Sequence, residues 1–159
     1  TLTLPISSAA ICMMLGLDGL AAGAATVGCC ANMIGFAVIS YRENGFGGLM
    51  AQGIGTSMLQ MPNILRNPRI WIPSIAASAV LGPVSTMIFK MENIPIGAGM
   101  GTCGLVGQVG TIAAMGEGSE VYMAILLLHF ILPALISLFV AGVLRKWGWI
   151  RSGDLKLDL

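Results

Sequence analysis

Residues 90–111 read KMENIPIGAGMGTCGLVGQVGT. Lys90 and Glu92 lead into Pro95, and the sixteen residues 96–111 then carry six glycines and no charge. Three readings compete: a nucleotide-binding glycine loop, a membrane helix, and a segment that enters a membrane and returns. Residues 99–104, GMGTCG, fit the pattern GxGxxG. That pattern binds a dinucleotide only between a strand and a helix of a soluble βαβ unit. Here Pro95 precedes it and no parallel strand is available, so the nucleotide reading is set aside.

The rest of the chain favours a membrane. Of 159 residues, 56% are hydrophobic and 9% charged. A soluble domain carries about 25% charged residues, so this chain lacks the charge to cover a soluble surface. The mean hydropathy of +0.88 agrees. A net charge of +1 argues against a nucleic-acid partner, which needs a basic patch. No basic n-region with a short apolar core and a cleavage site is visible, and a piece of a longer membrane protein is expected. Cys12, Cys29, Cys30 and Cys103 form no CxxC pair. No metal site is expected, and small apolar packing as free thiols accounts for all four.

A bilayer core takes about 20 apolar residues per helix. Residues 1–41 hold one short span, TLTLPISSAAICMMLGL, and one full span, GLAAGAATVGCCANMIGFAVISY, with Asp18 between them. Asp18 sits either in a tight turn or at membrane depth in a broken helix. RENGFGG, 42–48, is turn chemistry. LMAQGIGTSMLQM, 49–61, has thirteen residues and suits a re-entrant or interfacial segment. PNILRNPR, 62–69, reads as a surface loop. The stretch 70–89 is long enough to span, with Pro73 and Pro83 expected to kink it and Ser78, Ser85 and Thr86 near enough to satisfy freed carbonyls. GEGSE, 116–120, is an acidic loop. The stretch 121–144 is the strongest span and carries His129 and Pro133 at its middle. The tail 145–159 pairs Trp147 and Trp149 with basic residues, an interfacial signature.

Charge placement weighs the opening stretch. Arg145, Lys146, Arg151 and Lys156 put the tail in the cytoplasm by the positive-inside rule. If 96–115 crosses, Arg66 and Arg69 are forced outside. If it dips in and returns, and 49–61 is also re-entrant, every basic residue but Lys90 is cytoplasmic. The count favours re-entry. So does the backbone, since each glycine costs a helix about 1 kcal/mol relative to Ala. Irregular backbone at depth survives only where protein buries it or where it lines a wet cavity. The competing reading is a helix whose glycines allow close packing, as the spacings Gly97 to Gly101 and Gly19 to Gly23 permit.

A polar path through apolar helices needs donors and acceptors at depth. Asp18, Asn32, Gln52, Gln60, Asn63, Asn67, Glu92, Asn93, Gln108 and His129 are available. Carboxylates and amides pair two sugar hydroxyls at once, and Glu92 with Asn93 is the best such pair. Its bland counterpart is a loop-end charge paired with Lys90. His129 is a ligand contact or relay, or else a neutral ring bonded to a backbone carbonyl. Trp71 stacks on a ligand or anchors at the interface. With one histidine there is no nucleophile, base and acid set. No catalytic residue, cofactor or covalent chemistry is expected of this chain.

The runs GLAAGAATVGCCANMIGFAVISYRENGFGGLMAQGIGTSMLQMPNILRNPRIWIP and GAGMGTCGLVGQVGT resemble the permease (IIC) subunits of the phosphoenolpyruvate-dependent sugar phosphotransferase system of bacteria, in a glycine-rich branch that includes regulators. The matching blocks run from about Ser7 to His129, and the chain resembles the C-terminal half of such a subunit. The resemblance implies a sugar permease of the bacterial inner membrane, acting as a homodimer with cytoplasmic IIA and IIB phosphotransfer proteins. Such permeases use a glutamate in a proline-containing loop and a histidine; Glu92 in MENIP and His129 are similar in kind.

The expected fold is an all-α polytopic membrane protein with about four transmembrane helices and one or two re-entrant hairpins. Residues 1–144 form the permease domain, part of a larger IIC-type unit, and 145–159 a cytoplasmic tail. The expected substrate contacts are Glu92, Asn93, His129, Gln108, Gln52 and Asn63. The alternatives are a membrane-embedded regulator that senses a ligand without transport, and a channel-like or structural assembly module.

Overall fold

Residues 19–39 contain no charge and no proline, and they form the 21-residue helix α2 (Gly19–Ile39). At 1.5 Å per residue it is about 31 Å long, the thickness of a bilayer's hydrocarbon core. The computed structural model describes residues 5–157. The first four residues of the expected short span and the last two of the tail lie outside the described residues. Two further helical stretches are long and apolar enough to cross a membrane, Pro68–Met87 and Ser119–Lys146. Only 33% of each is buried, against 67% of α2, so α2 is the central helix and the other two present apolar faces outward. The first expected span appears as α1 (Pro5–Met14), which at about 15 Å is too short to cross alone. Asp18 is exposed, in the turn just before α2.

The span 68–87 is a 3-10 turn followed by α5 (Ile72–Met87). Pro73 falls in the first turn of α5, where proline replaces an N–H that has no helical partner; only Pro83 lies inside. The span 119–146 comprises α8 (Ser119–Ile125), π-helical turns over Leu126–Ile131, and α9 (Leu132–Lys146). Pro133 has no N–H to offer the carbonyl of His129, four residues earlier. The wide turns fall on that interrupted ladder and leave His129 fully buried.

Residues 93–116 turn back on themselves. Helix α6 (Pro95–Met100) leads to a tip and α7 (Val106–Met115) returns. Gly101, Gly104 and Leu105 all have φ between 55° and 59°, the left-handed region that glycine enters freely and leucine only at a cost. At the base, Asn93 donates its backbone N–H to Gly19 O at 3.2 Å. At the tip, Thr102 Oγ1 lies 3.4 Å from Met33 Sδ. Fourteen residues of α2 separate these levels, so the hairpin penetrates about 21 Å. Its glycines also permit close approach. A Cβ on Gly99 would collide with the Ala9 backbone of α1, and one on Gly23 with the Met91 carbonyl. Turning and close packing, read from sequence as alternatives, are both present.

A second hairpin enters from the other end of α2. Helix α3 (Tyr41–Met50) reverses at Gly45 (φ 60°) and continues as π turns to Gly55. Gly53 lies against Ala37 and Ile34 of α2. The chain breaks at Thr56 and returns through a 3-10 turn to α4 (Met61–Arg66). From Ser40 to Ile34 this hairpin reaches about 9 Å deep. Its tip packs against residues 103–105 of the glycine hairpin, so the two hairpins, one deep and one shallow, meet beside residues 33 and 34 of α2.

One core cluster, with Phe36, Ile39, Ile70, Leu144, Ile150 and Leu155, lies at the tail end. The other, with Val27, Leu81, Met91 and Leu128, lies toward the base of the glycine hairpin. Charges segregate in the same way. Arg42, Arg66, Arg69, Arg145, Lys146, Arg151 and Lys156 share the end where 41–67 meets the tail, and Lys90 alone stands at the opposite end with Asp18, Glu92, Glu117 and Glu120.

Candidate functional site

The meeting point of the hairpins is framed by α2, α7 and the π turns of the last span. Gln108 stands in the first turn of α7, and its Nε2 lies 3.2 Å from His129 Nδ1 and 3.6 Å from Cys30 Sγ. With the amide donating, Nδ1 accepts and the ring proton sits on Nε2. Gln108 Oε1 and His129 Nε2 are buried and have no hydrogen-bond partner among the described residues. The pair thus offers one free acceptor and one free donor, the complement of a hydroxyl group. A buried polar group left unpaired costs about 1–3 kcal/mol, so this pair carries polar capacity that the described residues do not use. The N-terminus of α7, with its partial positive charge, opens at the same depth.

Asn93 has a different setting. Its Nδ2 reaches Thr26 Oγ1 at 2.6 Å, Gly107 O at 2.9 Å and Thr111 Oγ1 at 3.1 Å, and its Oδ1 accepts from Ile94 N at 2.7 Å. Thr26 and Thr111 in turn donate to Ala22 O and Gly107 O in their own helices. The amide therefore clamps the base of the glycine hairpin to α2. Gly97 and Gly110 flank it, and a Cβ on either would strike the Asn93 side chain. Glu92, next to it, is exposed, with its backbone N–H 3.2 Å from Met115 Sδ.

Gln52 and Asn63 lie in the tail-side hairpin. Gln52 Nε2 donates to Ser40 Oγ at 2.8 Å and Gly48 O at 3.2 Å, while its Oε1 is buried and has no partner among the described residues. Asn63 donates to Gln60 Oε1 at 2.9 Å and Lys156 O at 2.8 Å. It belongs to a cradle that holds the tail. Asn44 and Gln60 both donate to Leu155 O, Glu43 accepts from Gly153 N and Leu155 N, and Asn67 donates to Asp154. Arg69 stacks over Trp149 at 5.0 Å. Residues 147–157 are thus docked onto 41–67 with Leu155 fully buried. Trp71 donates to Asn32 Oδ1 at 3.2 Å.

The structure therefore joins Gln108 to His129, places Asn93 some 15 positions from Gln108 but in the clamp at the hairpin base, and leaves Gln52 and Asn63 toward the tail end. Sequence reasoning passed over Thr26 and Thr111, the partners of Asn93, and over Ser74 and Ser137. The hydroxyls of those two serines are buried, have no hydrogen-bond partner among the described residues and converge on Gly35. An isolated hydroxyl in an apolar helix usually bonds its own backbone, which gives no signal of convergence. The four cysteines are free thiols, and no group of metal ligands occurs among the described residues.

Two discontinuous hairpins meeting inside a helical membrane protein are the arrangement of a transporter rather than of a soluble enzyme. Comparison with known families agrees: the family described as "Phosphotransferase system, EIIC" matches residues 1–157. The chain belongs to this family. Neither the curated proteins nor the solved structures provide a match. As an EIIC protein it is a permease-type, multi-pass membrane component of a phosphotransferase system, with a sugar as its substrate class and phosphotransfer proteins as partners. The all-α membrane fold expected from the sequence is the fold observed.

Proposed function

We propose that this EIIC chain translocates a sugar through the zone where the two hairpin tips meet, for phosphorylation by a separate IIB subunit. The observation that carries the reading is the unpaired, buried donor and acceptor of the Gln108–His129 pair at that depth. In transporters, discontinuous helices bring dipole ends to the bilayer midplane, where polar substrates bind. Gln108 and His129 are the hydroxyl contacts in this reading. Glu92 guards the outer approach, Asn93 sets the hairpin's position, and Gln52 and Asn63 line the cytoplasmic exit. The segregation of basic residues supports a cytoplasmic tail end, on which IIB docks, in a bacterial inner membrane. The outward apolar face of α5, with Ile75, Val80 and Met87 exposed, suits a homodimer.

The test is uptake of a panel of radiolabelled sugars into membrane vesicles, with phosphoenolpyruvate and the IIA and IIB proteins. At least one sugar is expected to enter in a IIB-dependent manner. Gln108→Ala and His129→Ala are expected to lower its uptake at least tenfold, the loss of about 1.4 kcal/mol or more of substrate stabilisation. Binding without uptake would establish the sensing regulator instead. Full uptake by both variants would remove the site.

A further inference from the structure

We propose that the groove between α9 and the tail-side hairpin binds the phosphate headgroup and one acyl chain of an anionic phospholipid. At its cytoplasmic end a hollow of about 570 Å³ is walled by Val38, Leu49, Leu138 and Gly142 and closed by Arg42 and Arg145. A second hollow of about 370 Å³ shares Val38 and Leu49 with the first and extends past Ile54 to Phe130. Together they follow α9 and the turns before it from residue 130 to 145, about 22 Å of helix. One leaflet's hydrocarbon layer is about 15 Å thick, so the groove holds a chain with its headgroup at the level of the arginines.

The two ends differ chemically as a phospholipid does. The inner hollow is lined almost wholly by apolar side chains and glycine. At the outer end Arg42 is exposed and has no hydrogen-bond or ion-pair partner among the described residues. Arg145 is anchored by a 2.7 Å bond to Ile39 O, with Glu43 at 3.9 Å, so its guanidinium is fixed at the rim. Basic pockets between membrane helices on the cytoplasmic side are suited to anionic headgroups. A free, unpaired arginine beside a fixed one at the mouth of an apolar groove favours that occupant over a purely apolar surface.

Native mass spectrometry of the detergent-solubilised full chain, with phosphatidylglycerol and phosphatidylcholine of identical acyl chains, tests this. Phosphatidylglycerol is expected to be retained at least about fivefold more strongly. Arg42→Gln is expected to abolish that preference without weakening phosphatidylcholine, because the Arg42 side chain makes no hydrogen bond or ion pair among the described residues. Gly142→Leu projects a side chain into open space and is expected to reduce retention of both lipids. Equal retention by the wild type, or an unchanged preference in Arg42→Gln, overturns the proposal. So does a disulfide between two copies carrying Leu138→Cys, which would show that a second copy fills the groove.

Discussion

Asn93→Ala tests the clamp that fixes the glycine hairpin. The substitution removes the amide's two N–H donors, which are shared among Thr26 Oγ1, Gly107 O and Thr111 Oγ1 at 2.6–3.1 Å. Interhelical hydrogen bonds in membrane proteins average about 0.6 kcal/mol each, which gives about 1 kcal/mol. The lost amide leaves a void on the order of 40 Å³ between Gly97 and Gly110, adding about 1 kcal/mol at 24 cal/mol per Å³. The total is about 2 kcal/mol, or a fall in Tm of about 4–8 °C for a chain of this size. The assay is thermal unfolding in detergent, followed by the reaction of a fluorogenic maleimide with Cys30, which is buried in the folded state, in a background where the partly exposed Cys12, Cys29 and Cys103 are replaced by Ala. Glu92→Gln alters an exposed side chain and is expected to leave Tm unchanged. Thr26→Val with Thr111→Val is expected to be non-additive with Asn93→Ala, because all three share one network. A shift under about 2 °C in Asn93→Ala, or full additivity in that cycle, would refute the clamp.

Gly99→Ala places a methyl group inside the Ala9 backbone and is expected to destabilise by several kcal/mol, on the order of a core overpacking or more. Gly28→Ala meets open space within α2 and is expected to stabilise by up to about 1 kcal/mol through helix propensity; Tm measured in the same detergent separates the two. Leu155→Asp sets a carboxylate in the tail-end core, where Leu155 is 0% exposed. It is expected to lower Tm by about 5 °C or more and to make residues 147–157 sensitive to protease, since a buried unpaired charge is among the costliest substitutions. An undocked but equally stable variant would show that the cradle of Asn44, Gln60 and Asn63 contributes nothing to folding.

The two hairpins illustrate what pattern and charge reveal. Residues 96–111 are uncharged and glycine-rich, 49–61 is too short to span, and the placement of eight basic residues favours re-entry for both. These are one-dimensional properties, because membrane thickness converts length and charge directly into topology. The role of Asn93 could not be read that way. Beside Glu92 it looks like half of a sugar-binding pair, yet the fold turns its amide toward Thr26, 67 positions away. The same limit applies to the tail, whose charges and tryptophans mark an interface without revealing that its Leu155 carbonyl accepts from Asn44 and Gln60.

By itself, then, the sequence determined the membrane class, the three stretches long and apolar enough to span, and the family, since each follows from summed hydrophobicity or contiguous motif. Only the tertiary structure decided which polar atoms remain free. A glycine at position 97, 99 or 110 permits close approach without naming the partner. The pairing of Gln108 with His129 depends on where α7 returns and on the wide turns before Pro133. In an apolar medium a polar group left without a partner is costly, so chain geometry, not residue type, decides which amides hold the fold together and which keep an atom unpaired among the described residues.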